Sequence, residues 1–363
     1  MAICKTFLIA CGGTGGHLSP GIAVAQELTA RGHQCKLLIS RKNVDRKLCE
    51  AYAELTFIPI SGVGFSEKLS NLPRCLWATI KNILQSFRLL HQTKADAVIG
   101  FGGFTNIGII LAAKILRKPC FLHEANHIPG RAVRLLGRWA TVVYVPKLFP
   151  DQSQLPMKVC GFPVRREFKK IPQAAAKENL GFDPQKKLLV IVGGSQGARV
   201  LTQWAEKYSE DFKKQNLQLL CLTGMRNNDE DAVKAESVAS DPSVRFISFC
   251  HQMHIVYSAA DLVVGRAGAG TIAELTMCET PSILIPLPTS ADGHQLANAR
   301  AFEHRSGCVC LEQADLPKLR ERVEALLSDA KKCEEMSERL RALKALNATQ
   351  MMVTDIERTL GAE

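Results

Sequence analysis

The sequence contains no Cys-x-x-Cys pair, so its thirteen cysteines offer neither the paired ligands of a structural zinc site nor a thioredoxin-type redox motif. Their number is odd and their surroundings are apolar, as in Ile3-Cys4-Lys5 and Leu220-Cys221-Leu222, which fits reduced, buried thiols better than disulfides. The nearest approach to a metal pair, Cys308-x-Cys310, alternates within a strand-like run and is accounted for by core packing. Long apolar runs are also missing. The most weakly polar stretch, 97–113, is interrupted by Thr105, Asn106 and glycines and makes a poor membrane span. The N-terminus lacks the long apolar core and cleavage site of a signal peptide, so the chain is expected to stay in the cytoplasm. Aromatic residues are only 6% of the chain and do not interleave with basic ones, which argues against a nucleic-acid partner.

What is present is a globular composition, 46% hydrophobic and 22% charged, over 363 residues. That length is about twice the ~150 residues of one domain, so two domains are expected. The net charge of +11 is unevenly placed. Residues 1–163 hold 20 Lys and Arg against 8 Asp and Glu, a net +12, while residues 164–363 hold 26 against 27, a net −1. A phosphorylated substrate, an anionic membrane surface or nucleic acid would each suit such a basic half, and charge by itself does not choose among them.

Short apolar runs alternate with helical patterns along the whole chain. The run 6–11 leads into Gly12-Gly-Thr-Gly-Gly-His17 and then a helical pattern through Ile22, Val24, Ala25 and Leu28, closing at Gly32. The unit recurs at 188–192, followed by Gly193-Gly-Ser-Gln-Gly197 and a helix carrying Val200, Leu201 and Trp204. Further strand-like runs at 35–39, 97–99, 119–122, 142–145, 217–222, 244–248, 262–264 and 282–285 complete the alternation. This predicts an α/β protein of two doubly wound, Rossmann-like domains separated by a cleft, with the ligand at the carboxyl ends of the strands. A boundary near Gly161-Phe-Pro-Val-Arg165 gives domains 1–163 and 164–344; residues 331–360 read as charged helix.

The glycine loops do not fit a nicotinamide cofactor. Read from Gly13, the third position of Gly-x-Gly-x-x-Gly is Leu18, and the second strand ends in Ser40-Arg41 rather than an acid. No P-loop lysine follows either loop. What remains is a set of backbone N–H groups, unshielded by side chains, suited to phosphate oxygens or developing negative charge. A third loop, Gly265-Arg-Ala-Gly-Ala-Gly270-Thr271, opens a helix whose first turn is expected to carry Glu274, able to accept both hydroxyls of a ribose or simply to favour the helix N-terminus. Ala291-Asp-Gly-His294-Gln295 either hydrogen-bonds a sugar or caps a helix. Between Leu72 and Leu90, apolar Leu72, Leu76, Ile80, Ile83, Leu84, Phe87 and Leu90 fall at helical spacing, and Arg74, Lys81 and Arg88 recur every seven residues. This helix packs its apolar side on the first domain or, with Phe65, Trp77 and the basic Arg131, Arg134 and Arg138, lies against anionic lipid.

Taken in order, Gly12-Gly-Thr-Gly-Gly-His17, His123-Glu-Ala-Asn126, Pro163-Val-Arg165, Gly193-Gly-Ser-Gln-Gly-Ala198, Arg266-Ala-Gly-Ala-Gly-Thr-Ile-Ala-Glu274 and Asp292-Gly-His-Gln295 resemble the motifs of the MurG family of cell-wall N-acetylglucosaminyltransferases, within glycosyltransferase family 28. The resemblance runs from Thr6 to about residue 345. It implies a GT-B fold, an N-terminal domain for acceptor and membrane, a C-terminal domain for the nucleotide sugar, and a terminal helix, about 345–363, packing back on the first domain. It also implies inverting transfer from UDP-N-acetylglucosamine to the 4-hydroxyl of lipid I, giving lipid II, at the cytoplasmic face of the plasma membrane and with no cofactor or metal.

The resemblance further distributes roles. His17 is the candidate base, because an imidazole ordinarily titrates near working pH and this one ends a glycine loop at the cleft, and Glu124 is the second candidate. Thr14, Gly15, Gly16, Asn126, Arg165, Ser195, Gln196, Cys250, Ala269, Gly270, Thr271, Glu274, His294 and Gln295 would hold the donor, with Ser195, Gln196 and Arg165 near its diphosphate, Glu274 on the ribose, the Cys250 backbone on uracil, and His294 and Gln295 on the sugar. Arg74, Lys81 and Arg88 would face acceptor and membrane. Two departures from the family pattern are Phe162, where Asn is usual, and the segment Phe104-Thr-Asn-Ile-Gly108 after Gly102-Gly103. Competing functions are another GT-B enzyme such as a diacylglycerol galactosyltransferase, a nucleotide-sugar 2-epimerase, and a non-catalytic nucleotide-sugar sensor.

Overall fold

The computed structural model describes residues 3–13, 15–41, 43–60, 72–103, 105–149, 151, 153–194, 197–224, 242–305, 307–344 and 347–361, and of residues 43, 44, 47, 72–76, 78, 79 and 105 only the backbone. The chain divides into two compact units: Met1–Arg166 with Leu346–Glu363, and Glu167–Ala345. In the first, chain order is β1 (Thr6–Ala10), α1 (Gly15–Ala30), β2 (Gln34–Ile39), α2 (Asn43–Cys49), β3 (Thr56–Pro59), α3 (Leu72–Thr93), β4 (Ala97–Gly100), α4 (Thr105–Ile115), β5 (Cys120–His123), α5 (Arg131–Leu136), β6 (Val142–Val145) and β7 (Met157–Val159). The second runs α6 (Gln173–Asn179), β8 (Leu188–Val192), α7 (Arg199–Lys214), β9 (Gln218–Leu222), β10 (Val244–Ile247), α8 (Met253–Ala259), β11 (Leu262–Gly265), α9 (Ala269–Cys278), β12 (Ser282–Leu284), α10 (His294–His304), β13 (Val309–Cys310), α11 (Leu319–Ser328) and α12 (Ala330–Leu343). A last helix, α13 (Ala348–Thr359), returns to the first unit.

Both sheets are parallel throughout, in the orders β3-β2-β1-β4-β5-β6-β7 and β10-β9-β8-β11-β12-β13. Strands covered on both faces read as unbroken apolar runs, which is why β1 and β8 were legible and the half-exposed edges β3 and β7 were not. The two-residue period shows inside β1. Phe7 and Ile9 enter the core under α1 and α13, while Leu8 and Ala10 enter the one under α3, α4 and α5. In the second unit Leu189, Ile191, Leu219, Leu262, Val264 and Ile283 pack with α7 and α11. The order reverses between β1 and β4 in one unit and between β8 and β11 in the other, and such switch points open a crevice at the carboxyl ends of the strands.

The charged pattern over 331–360 resolves into α12 and α13, which belong to different units. Met352, Val353 and Ile356 of α13 enter the first core. Its polar side reaches strands and loops of the same unit: Glu357 accepts from Arg31 Nη1 (2.6 Å) and lies 2.9 Å from His33 Nε2, and Asp355 accepts from Tyr144 Oη (2.9 Å) and pairs with Lys158. No helix among the described residues is long and apolar enough to cross a membrane.

Candidate active site

At the first switch point the chain leaves β1 through Cys11, Gly12 and Gly13 and leaves β4 through Phe101, Gly102 and Gly103. The amides of Cys11 and Gly12 both donate to Leu38 O (3.1 Å each), and Gly13 N donates to Asp45 Oδ2 (2.9 Å). These amides therefore point inward, toward β2 and α2. The groups at the mouth are Gly15, Gly16 and His17 in the first turn of α1, where N–H groups lack intrahelical acceptors. Thr14 lies outside the described residues. His17 is half-buried, and its ring lies against Gly102 and Gly103, whose φ angles are +96° and +75°. A Cβ on Gly102 would stand 3.0 Å from His17 Nε2, and one on Gly103 would stand 3.3 Å from Nδ1, so only glycine leaves room for the imidazole there.

Beyond β5, Glu124 is buried and its carboxylate accepts from Asn126 N (2.9 Å), Asn126 Nδ2 (3.0 Å) and Gly130 N (2.6 Å). It clamps the loop that follows the strand, with Asn126 as part of the clamp. His123, just before it, donates from Nε2 to Gly161 O (3.1 Å) and is flanked by Phe101 and by Phe162, which stands edge-on. Burial lowers its pKa to about 4, only partly opposed by that hydrogen bond, and the ring is neutral. Phe162 thus fills an aromatic slot over His123. Arg165 is buried in this same unit, donating to Tyr52 Oη (2.6 Å) with its guanidinium over the Tyr52 ring. The structure brings it to Tyr52.

In the second unit, β8 ends at Gly193-Gly194 beside the end of β11, and Arg266 N donates to Val192 O (3.3 Å). Ser195 and Gln196 lie outside the described residues. Arg266 then ties the third loop down, donating from Nη1 to Ile285 O and Pro286 O (3.2 Å each) and from Nη2 to Gln313 Oε1 (2.7 Å). The helix α9 starts at Ala269 after Gly268, an N-cap that offers no side-chain acceptor. The amides of Ala269, Gly270 and Thr271 therefore have neither an intrahelical acceptor nor a side-chain cap, and the positive end of the helix dipole lies behind them. Glu274 is the sixth residue of α9 and so stands in its second turn, not the first. A dipole effect fades beyond the first turn, which weakens helix-end stabilisation as the reason for that acid.

The two remaining donor-side candidates are built into their loop. Asp292 and Gly293 are both left-handed (φ +51° and +67°), turning the chain into α10. His294 Nδ1 donates to Ala291 O (2.7 Å), which leaves Nε2 as the acceptor of the neutral ring. Gln295 Oε1 accepts from Leu287 N (2.9 Å), tying the start of α10 to the loop after β12 rather than capping the helix. Cys250 follows β10 in a half-buried loop, and burial raises its thiol pKa. Among the described residues no group of three His, Cys, Asp or Glu is arranged to hold a metal ion.

On α3 the apolar residues divide between two faces instead of forming one. Leu90 is buried and Ile83 and Phe87 partly so, whereas Trp77 (69% exposed), Ile80 (41%) and Leu84 (64%) point outward. Exposed Lys81 and Arg88 share that outer face at helical spacing, while the Arg74 side chain lies outside the described residues. Sequence reasoning missed Asp45, Tyr52 and the anchoring role of Arg266. An acid was sought at the end of β2; Asp45 comes five residues after Ser40, on α2.

Glycosyltransferase family 28 models match at both ends, the N-terminal domain over residues 7–145 and the C-terminal domain over 188–352. A UDP-N-acetylglucosamine–N-acetylmuramyl-(pentapeptide) pyrophosphoryl-undecaprenol N-acetylglucosamine transferase of Opitutus terrae is 42% identical, covering 99% of this chain and 97% of its own length. The crystal structure of Acinetobacter baumannii MurG superposes with a TM-score of 0.71 at 26% identity, covering 98% of this chain and all of that one. The UDP-bound structure of S. aureus MnaA superposes nearly as well, with a TM-score of 0.70 at 14% identity over 99% and 98% of the two chains, a likeness of fold alone.

Proposed function

We propose that this chain, which belongs to glycosyltransferase family 28, transfers N-acetylglucosamine from UDP-N-acetylglucosamine to an N-acetylmuramyl-(pentapeptide) pyrophosphoryl-undecaprenol acceptor, converting lipid I to lipid II for the cell wall. One observation carries this reading: each GT-B unit offers a different half of the chemistry at its own switch point. The first offers an imidazole in a glycine cradle, and the second offers an uncapped helix N-terminus with a carboxylate one turn further on.

Inverting transfer needs three things: removal of the acceptor proton, support for positive charge at the sugar, and neutralisation of the departing diphosphate. His17 takes the proton as the acceptor 4-hydroxyl attacks the anomeric carbon and the bond to UDP breaks. The first-turn amides of α9, at Ala269, Gly270 and Thr271, receive the charge that develops on the leaving diphosphate, together with Ser195 and Gln196. Glu274 accepts the ribose hydroxyls, the backbone at Cys250 meets uracil, and His294 Nε2 and the Gln295 amide group meet the sugar. Gly15 and Gly16, with Thr14, supply N–H donors to anionic oxygens at the first unit. Glu124, whose carboxylate already accepts three hydrogen bonds, serves as the clamp that holds Asn126, and Arg165 serves to fix Tyr52.

The outer face of α3 supports peripheral attachment at the cytoplasmic face of the plasma membrane. Trp77, Ile80 and Leu84 insert among lipid chains while Lys81 and Arg88, joined by Arg74, meet anionic headgroups. Exposed Ile115 and Leu116 at the end of α4, beside Lys114 and Arg117, extend the same chemistry. The deciding experiment is incubation with radiolabelled UDP-N-acetylglucosamine and a short-chain lipid I analogue. Label is expected to move to the lipid only when the acceptor is present. Conversion of the nucleotide sugar without acceptor would replace this reading with an epimerase.

A further inference from the structure

Asp45 is fully buried on α2, yet its carboxylate is spent on the loop that leads to His17. Oδ2 accepts from Gly13 N (2.9 Å), Ser40 N (3.1 Å) and Ser40 Oγ (2.6 Å), joining the end of β2 to the turn between β1 and α1. Oδ1 is equally buried and makes no hydrogen bond. Removing a carboxylate from water is costly, and an unmatched oxygen adds to that cost, so stability alone is a poor reason for an acid at this position. Its neighbours include the thiols of Cys11 and Cys49, both pushed up first by burial and then by the Asp45 charge.

The geometry has one consequence for the site. Gly13 is held inward at φ +128°, the Cys11 and Gly12 amides are bound to Leu38 O, and α1 starts two residues later. His17 lies in the first turn of that helix, its ring against Gly102 and Gly103. We infer that Asp45 is a positioning residue: it sets the glycine loop so that the His17 imidazole stands where it can take the acceptor proton. The inference rests on the base reading of His17 given above. It also separates the roles of the loop, whose amides serve the fold, from the first turn of α1, which faces the ligand.

The test is a double-mutant cycle on the full-length enzyme, assayed at saturating UDP-N-acetylglucosamine and short-chain acceptor. His17→Ala is expected to lower kcat by about 10²- to 10⁴-fold, and Asp45→Ala by about 10- to 100-fold, the scale of a misplaced catalytic group. The double variant should be no slower than His17→Ala within about threefold, because an absent imidazole cannot be misplaced further. Asp45→Asn, whose amide oxygen can still accept from Gly13 and Ser40, should recover to within about threefold of the parent. Calorimetric affinity for UDP should be unchanged in every variant. If Asp45→Ala does not accumulate as folded protein, Ser40→Ala reads the same cycle by deleting only the hydroxyl donor, with an expected loss of about three- to tenfold. Losses that multiply in the double variant, alongside a slow His17→Ala, overturn the role of Asp45 alone. A His17→Ala enzyme at the parental rate overturns the base reading itself.

Discussion

Replacing Gly102 with alanine separates the catalytic use of the glycine cradle from its backbone geometry. The new Cβ would sit 3.0 Å from His17 Nε2 and 3.1 Å from Cδ2, against ~3.5 to 4.0 Å for an unstrained contact. The ring must therefore retreat by roughly 0.5 Å; since a displacement of about 1 Å costs about 10²-fold in rate, kcat should fall by about tenfold. Gly102 also has φ +96°, which an alanine adopts at a cost of about 1 to 2 kcal/mol. Gly32 provides the control. Its φ is +89° and a Cβ there would meet nothing within 4 Å, so Gly32→Ala carries the backbone cost without the ring contact. Both variants should melt a few degrees below the parent, at about 2 to 4 °C per kcal/mol for a unit of this size. Only Gly102→Ala should lose turnover, with UDP affinity intact by calorimetry. Equal kcat values for the two alanine variants would refute the placement of His17 as the reacting group.

Three other outcomes are expected. Glu274→Gln should weaken UDP binding by about 10- to 100-fold, because a carboxylate accepting ribose hydroxyls contributes about 1.5 to 3 kcal/mol; an unchanged dissociation constant removes Glu274 from the ribose. Replacing Arg74, Lys81 and Arg88 together with Gln should weaken binding to anionic vesicles by up to ~3 kcal/mol while activity on a detergent-solubilised short-chain acceptor survives, and normal cosedimentation at physiological salt would exclude this helix as the membrane contact. His123, with a pKa lowered to about 4, is neutral in the folded state and protonates below about 6.5 when unfolded. The unfolded chain then binds the extra proton, so stability is full above pH 6.5 and falls as pH drops toward 4, by about 3 kcal/mol in all. Urea unfolding of the parent and of His123→Gln should show that slope in the parent only.

The sequence by itself determined the fold class. Parallel strands buried on both faces leave continuous apolar runs, as at 188–192, and a glycine loop between such a strand and a helical pattern marks a ligand-facing turn wherever it occurs. The glycine loops ahead of α1 and α9 were legible for that reason. The partners of the terminal helix α13, Arg31, His33, Tyr144 and Lys158, are roughly two to three hundred residues away along the chain, and only folding selects them. The tertiary structure also decided what each polar side chain is occupied with. Glu124, a candidate for proton transfer, and Gln295, a candidate for the sugar, have oxygens that accept from nearby backbone amides, which a linear pattern does not reveal. Asp45 carries no motif at all; it matters because the switch-point geometry brings α2 under the loop between β1 and α1. On α3, a helical period marks the apolar positions, but which of them stay exposed depends on where α4 lies, and that is a property of packing.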